Sequence, residues 1–195
     1  MTVKATLNGF AAVGPAVMAT AALLFPATAN AAINSADSFI PVDAVTKIQM
    51  HVTADCSGTT CRFNTAANLV GPDGPMPLPP DTWARQNIVL RSSDRLVYQD
   101  VSYSAPSGFP PQNKGSNYDN VLSKQYKSEN SSQISVTFPG GGSFERFRVD
   151  GTSQPLDVAT GLPRTQSNFI ACSNIQVTYG GVNLTTPTAC ATTTF

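Results

Sequence analysis

Val45 to Leu69 reads VTKIQMHVTADCSGTTCRFNTAANL, and this stretch decides the fold class. Ile48, Met50, Val52 and Ala54 share one phase of a two-residue period, against Lys47, Gln49, His51, Thr53 and Asp55 in the other. Successive side chains of a strand point to opposite faces, so this alternation marks a strand with one buried face. Cys56 continues the apolar phase. Beyond Ser57-Gly58-Thr59-Thr60, whose composition suits a turn, Cys61, Phe63, Thr65, Ala67 and Leu69 return in one phase against Arg62 and Asn64. The stretch is expected to form a β-hairpin with both thiols on one side, near its tip. A Cys56–Cys61 disulfide there closes a very short loop and contributes roughly 2 kcal/mol on the loop-entropy estimate, chiefly by holding the register. Half of a zinc site is the other use of such a pair, but zinc needs further thiolates or histidines, and the chain has 1 His.

Residues 1–31 have the form of an export leader. Lys4 supplies a positive start, Phe10 to Phe25 is mostly Ala, Val, Leu and Met, and Ala29-Asn30-Ala31 is an Ala-x-Ala cleavage signal. The apolar run falls short of the ~20 residues of a membrane span and is broken by Gly14 and Pro15. A signal peptide cleaved near Ala31 is expected, with 32–195 as a single secreted β domain. The 12 basic and 12 acidic residues form no basic run, which argues against nucleic acid or an anionic membrane as partner. The 4 cysteines suit an oxidising compartment, and locality favours Cys56 with Cys61 and Cys172 with Cys190.

Along the rest of the chain the signals are turns and short alternating runs. Ala32 to Ala44 is expected to be an extended lead-in, with an edge strand near Ser38 to Pro41. Gly71 to Pro80 is too rich in proline for a helix or a central strand and is expected to be a rigid connector over the surface. A second hairpin is expected from Trp83–Arg91, a Ser92-Ser93-Asp94 turn and Arg95–Ser104. Trp83 either plugs one end of the core or, with Tyr98, Tyr103 and Phe109 nearby, offers a sugar-stacking platform. Residues 105–130 form the longest irregular segment, with one candidate short helix at Asp119–Lys127. Loops of that length are often functional, so Phe109, Tyr118 and Tyr126 are candidate contact residues, although a solvated loop pinned by its aromatics reads the same way.

A third hairpin is expected from Gln133–Phe138, a Pro139-Gly140-Gly141-Gly142 turn and Ser143–Val149. On its return strand Arg146 and Arg148 would share a face, either solvated or gripping an anion. Gln154–Arg164 carries Pro155, Gly161 and Pro163 and reads as a connector. A last hairpin follows: Gln166–Tyr179, a turn at Gly180-Gly181, and Val182–Thr194. Cys172 and Cys190 sit at nearly equal offsets from that turn, eight residues before Gly180 and nine after Gly181, which puts them close to opposite one another.

Catalysis finds little support. His51 lies in the polar phase of the first strand, no nucleophile elbow occurs, and the carboxylates show no spacing that singles out a catalytic pair. No catalytic residue, cofactor or metal site is assigned.

The leader ending in Ala29-Asn30-Ala31, the Thr/Ser/Asn/Pro-rich β segments and the Cys56-Ser-Gly-Thr-Thr-Cys61 tip together resemble the small secreted β proteins of mycobacteria and related actinobacteria. That resemblance implies a cell-envelope or extracellular location and carries over no functional residue. The expectation is therefore an all-β chain, an antiparallel sandwich or barrel of about seven to nine strands with at most one short helix. It would bind a protein, glycan or lipid through Trp83, Phe109, Tyr118, Tyr126, Arg146 and Arg148. The alternatives are a secreted hydrolase using His51 and a passive structural envelope protein.

Overall fold

The computed structural model describes residues 34–106, 114–116 and 122–195. The leader expected at 1–31, the Phe109 and Tyr118 candidates and residues 119–121 of the expected helix lie outside that range. The first hairpin forms as its alternation requires. Strand β2 (Lys47–Ser57) pairs antiparallel with β3 (Thr60–Gly71), and Cys56 stands opposite Cys61. Gly58, at φ 60°, takes the first position of the two-residue turn, where a side chain would be strained. The two cysteines are bonded to each other and fully buried.

Around this hairpin the described chain builds thirteen strands in two antiparallel sheets. The remaining strands are β1 (Asn34–Pro41), β4 (Gly74–Met76), β5 (Trp83–Ser92), β6 (Val97–Pro106), β7 (Lys114–Ser116) and β8 (Ser123–Ser128). They are followed by β9 (Ser131–Pro139), β10 (Val149–Asp157), β11 (Phe169–Tyr179), β12 (Val182–Thr185) and β13 (Ala189–Thr193). The first sheet runs β1-β2-β3-β10-β6-β7, with β4 added to β3. The second runs β12-β11-β5-β9-β8, with β13 added to β11. Neither order closes on itself, so the fold is a sandwich and not a barrel.

More strands form than the seven to nine expected, because segments that read as connectors pair along sheet edges. The lead-in is β1, opposite β2 from Asn34↔Ala54 to Pro41↔Lys47. The proline segment donates β4 to the rim of β3. The start of the Gln154–Arg164 connector continues β10 as far as Asp157.

Three expectations are corrected. The Trp83–Ser104 segment is not a hairpin: β5 lies between β11 and β9 in the second sheet, while β6 pairs with β10 in the first. The link between them therefore crosses the sandwich. The 133–149 segment is not a hairpin either. β9 pairs with β5 and β8, Phe144–Phe147 is a 3-10 turn, and β10 belongs to the other sheet. Phe147 enters the core with its ring centroid 5.2 Å from that of Phe138. The candidate helix at 119–127 is strand β8 over Ser123–Ser128, since β9 offers an unpaired edge and Ser123 and Gln125 alternate with Lys124 and Tyr126.

The last hairpin pairs Cys172 with Cys190 as expected, through a device hidden in the spacing. Gly180 and Gly181, both at positive φ, form a two-residue turn between Tyr179 and Val182. Continued without interruption, that register would face Cys172 with Ala189. Three residues, Thr186, Pro187 and Thr188, oppose two on β11, and this bulge moves Cys190 into place. The Thr186 N–H donates to the Ile175 carbonyl at 3.0 Å, and its hydroxyl accepts from the Ile175 N–H at 3.1 Å.

The space between the sheets is filled. Ile48, Met50 and Val52 from β2 meet Ile88 and Leu90 from β5, Ile134 and Phe138 from β9, and Ile175 and Val177 from β11 in one buried cluster. One polar group crosses it. The two hydrogens of the Gln86 amide go to Thr65 Oγ1 at 2.7 Å and Ser173 Oγ at 3.2 Å, and those hydroxyls donate in turn to the Val149 and Asn87 carbonyls. Gln86 Oε1 is left without a partner in the core. At one side the Ser38 hydroxyl of β1 donates to the Pro187 carbonyl beside β13, and at the other Tyr103 and Ser123 share a 2.7 Å hydrogen bond.

Candidate functional site

With the interior occupied by side chains, ligands are left the two outer faces and the turns. The structure separates the residues singled out above. Arg146 and Arg148 do not sit side by side on a strand. Arg146 Nη2 donates to the Pro139 carbonyl at 2.5 Å and its Nε to Gly140 at 3.2 Å, so it fastens the glycine loop. Arg148 lies across from it in function, paired with Glu145 at 3.3 Å and Asp150 at 3.6 Å. Gripping an anion between the two is not what this geometry provides.

Trp83 does not plug the core. It is 52 % exposed at the head of β5, the central strand of the second sheet. Tyr103, expected beside it, is buried in the first sheet, so among the described residues Trp83 faces solvent from a polar surface and Tyr103 does not join it. Tyr126 on β8 is 57 % exposed. The registers Trp83↔Pro139, Val89↔Gln133 and Tyr126↔Gln133 put both aromatics on one outer face, at diagonal corners. They stand ~20 Å apart along the strands and ~10 Å apart across them.

Around these two rings, from β8 across β5 to β11, spreads a polar field that the hairpin reading did not assemble. Its members are the outward phases of β5, β11, β9 and β8. Asn87 and Asn174 are cross-strand partners with their amides 3.5 Å apart, and Gln176 donates to Asn183 at 3.0 Å. Arg85 Nε donates to Ser135 at 3.0 Å, which leaves its two terminal nitrogens with no recorded partner among the described residues. Arg91 and Lys124 share the face. The alternation Arg85, Asn87, Val89, Arg91 against Ala84, Gln86, Ile88, Leu90 is visible in the sequence; strand order, which is not, brings it beside Gln176 and Lys124.

The opposite face, on the first sheet, is of mixed charge. A hollow of about 380 Å³ is lined there by Thr53, Asp55, Arg62, Asn64, Arg148 and Asp150 among others, and a second of about 320 Å³ adjoins it at Ser57 and Thr60. Nearby, His51 Nδ1 lies 2.6 Å from Asp37 Oδ1, which also accepts from Gln49 at 2.9 Å. Among the described residues His51 makes no other recorded hydrogen bond. All four cysteines are consumed in disulfides, which removes them as metal ligands.

Three carboxylates in turns are held below the usual aspartate range. At Asp157 the Thr160 N–H and hydroxyl do so, with Arg164 at 3.2 Å adding to them. At Asp43 the Val45 and Thr46 N–H groups act alike. Burial pulls Asp94 upward, but the Ser92 hydroxyl, the Leu96 N–H and Arg164 together outweigh it. Arg164 thus ties the turn after β5 to the turn after β10.

Compared with known protein families and with curated proteins, the chain matches none. Fold and site define a class: an all-β, two-sheet antiparallel sandwich, stapled by two disulfides and solid inside. No helix among the described residues is long and apolar enough to cross a membrane.

Proposed function

We propose that the chain is a secreted binding module of the cell envelope or extracellular space, which engages its partner through a sheet surface. The packed core carries this reading: a lipocalin-like carrier needs a hollow, whereas among the described residues side chains of both sheets meet in one buried cluster. Trp83 supports it further, because its half-exposed ring at the head of a central strand offers the amphipathic aromatic contact area that binding surfaces are enriched in. The leader-like residues 1–31 and the two disulfides support export. Co-sedimentation of the purified protein with an insoluble cell-envelope fraction tests the reading. Wild type should pellet with the envelope and Trp83→Ala should remain largely in solution; a wild type that stays in solution contradicts it.

The Asp37–His51 pair favours a second reading, hydrolysis, since it supplies the oriented base of a triad. Any esterase or peptidase activity of the wild type that persists unchanged in His51→Ala removes that reading.

A further inference from the structure

We propose that the outer face of the second sheet is a docking surface for an acidic polysaccharide. The proposal rests on the surface-binding reading above and names its ligand. The first observation is a segregation of charge. Arg85, Arg91 and Lys124 point outward on this face, and its strands contribute no outward carboxylate. The acids at its margins are committed or peripheral: Asp81 accepts the Gly180 N–H at 3.0 Å, Asp94 holds Arg164 at 3.1 Å, and Glu129 lies in the turn between β8 and β9. The face across the sandwich carries Asp37, Asp55, Asp100 and Asp150 among its cations. A near-neutral chain has therefore been divided into a cationic face and a mixed one, and the cationic face is complementary to an anion.

The second observation selects the kind of anion. Trp83 and Tyr126 present exposed rings at opposite corners, and the apolar faces of pyranose rings stack on such rings. The Asn87–Asn174 and Gln176–Asn183 amides, which extend over β5, β11 and β12 on the side of Trp83 away from Tyr126, provide paired donors and acceptors at strand spacing, which match vicinal hydroxyls. Terminal nitrogens of Arg85, free of recorded partners among the described residues, suit bidentate contact with a carboxylate or sulfate. Three cations spread ~20 Å along the strands are too few and too far apart for a duplex phosphate backbone, which is gripped by roughly 6–10 contacts. An extended sugar chain with a charge on some residues fits both the spacing and the stacking corners.

Native affinity electrophoresis in gels containing polygalacturonate, dextran sulfate or neutral dextran tests this. Wild type should be retarded by at least one acidic polymer and not by dextran, and retardation should fade as salt is raised. Trp83→Ala should weaken the apparent affinity roughly tenfold, the loss expected for one stacked aromatic ring. R85Q/R91Q/K124Q should abolish retardation, while Arg62→Gln on the other face should leave it unchanged. Equal retardation by dextran, salt-insensitive retardation, or an unaffected triple variant would each overturn the proposal, as would no retardation of wild type by either acid. Salt dependence needs no variant, so misfolding of a mutant does not protect the idea. Envelope sedimentation that survives while the acidic polymers fail would sink the ligand and leave the surface-binding reading standing.

Discussion

Gly141 lies so close to Pro79 that a Cβ on it would stand 1.7 Å from the Pro79 carbonyl oxygen. The proline segment and the glycine loop are zipped backbone to backbone, with Leu78 and Gly142 exchanging hydrogen bonds at 2.9 and 3.0 Å and Gly140 donating to Thr82 at 2.7 Å. The three glycines therefore form a seam and not a hairpin turn. Gly141→Ala must separate two stretches of main chain, and a loss of about 3 kcal/mol is expected, at the upper end for overpacking. Gly161→Ala is the control: it meets a positive φ, +67°, which Gly141 does not, but has open space around it, and about 1 kcal/mol is expected. Urea unfolding midpoints of the two variants decide the matter.

The two disulfides should differ in what their removal does. Cys172 and Cys190 are 18 apart in sequence and Cys56 and Cys61 are 5 apart, so loop entropy assigns roughly 3 and roughly 2 kcal/mol. Cys56 and Cys61 are also core residues, whereas Cys190 faces solvent. C172A/C190A is expected to lose the entropic amount alone. C56A/C61A should lose that amount plus a packing contribution, and thus match or exceed it despite the shorter loop. Thermal unfolding of both double variants gives the comparison.

Gln86 is a buried amide whose hydrogens are satisfied and whose oxygen is not. Its two acceptors, Thr65 and Ser173, keep their own bonds to backbone carbonyls if it is removed. Gln86→Leu should accordingly change stability by no more than about 1 kcal/mol, because relief of the unpaired oxygen offsets the lost bonds. Gln86→Glu should be far worse at neutral pH, since a carboxylate there would face two oxygens already committed as donors elsewhere. Parallel denaturation curves at pH 7 separate the cases.

Acid should weaken the fold through the turn carboxylates. Asp43, Asp94 and Asp157 have folded pKa values below those of the unfolded chain, so the unfolded state takes up protons first as pH falls. Their contribution is complete above the ordinary aspartate value of about 3.9 and is lost as pH drops through the lowered values. D94N/D157N should be less stable than wild type at pH 7 and should lose less between pH 5 and pH 3. Melting temperatures across that interval supply the check.

Sequence alternation makes the long strands β2, β3, β5, β6, β9 and β11 legible, along with the first and last hairpins and both cysteine pairs, whereas β4 reads as a connector and β8 as a short helix. Which strands share a sheet was not legible. Ser92-Ser93-Asp94 and Pro139-Gly-Gly-Gly142 have the composition of hairpin turns, and an arch that crosses a sandwich uses the same residues; long-range pairing of β5 with both β9 and β11 decides between them. Of the candidate site, Trp83 is legible as a possible sugar-stacking ring and Tyr126 as a loop contact residue, but their common face depends on strand order. Arg146 and Arg148 looked paired only because a strand was assumed where a 3-10 turn lifts Phe147 into the core.

The most direct test of the account is where a ligand touches. Oligosaccharides of both kinds, oligogalacturonate and a sulfated dextran oligomer, titrated in turn into ¹⁵N-labelled protein, should in at least one case shift amide resonances of β5, β8, β9 and β11, with the largest changes near Trp83, Arg85 and Lys124, and leave β2, β3 and β10 unmoved. Shifts centred on the Asp55–Arg62 hollow of the first sheet, or no shifts with either ligand, would contradict it.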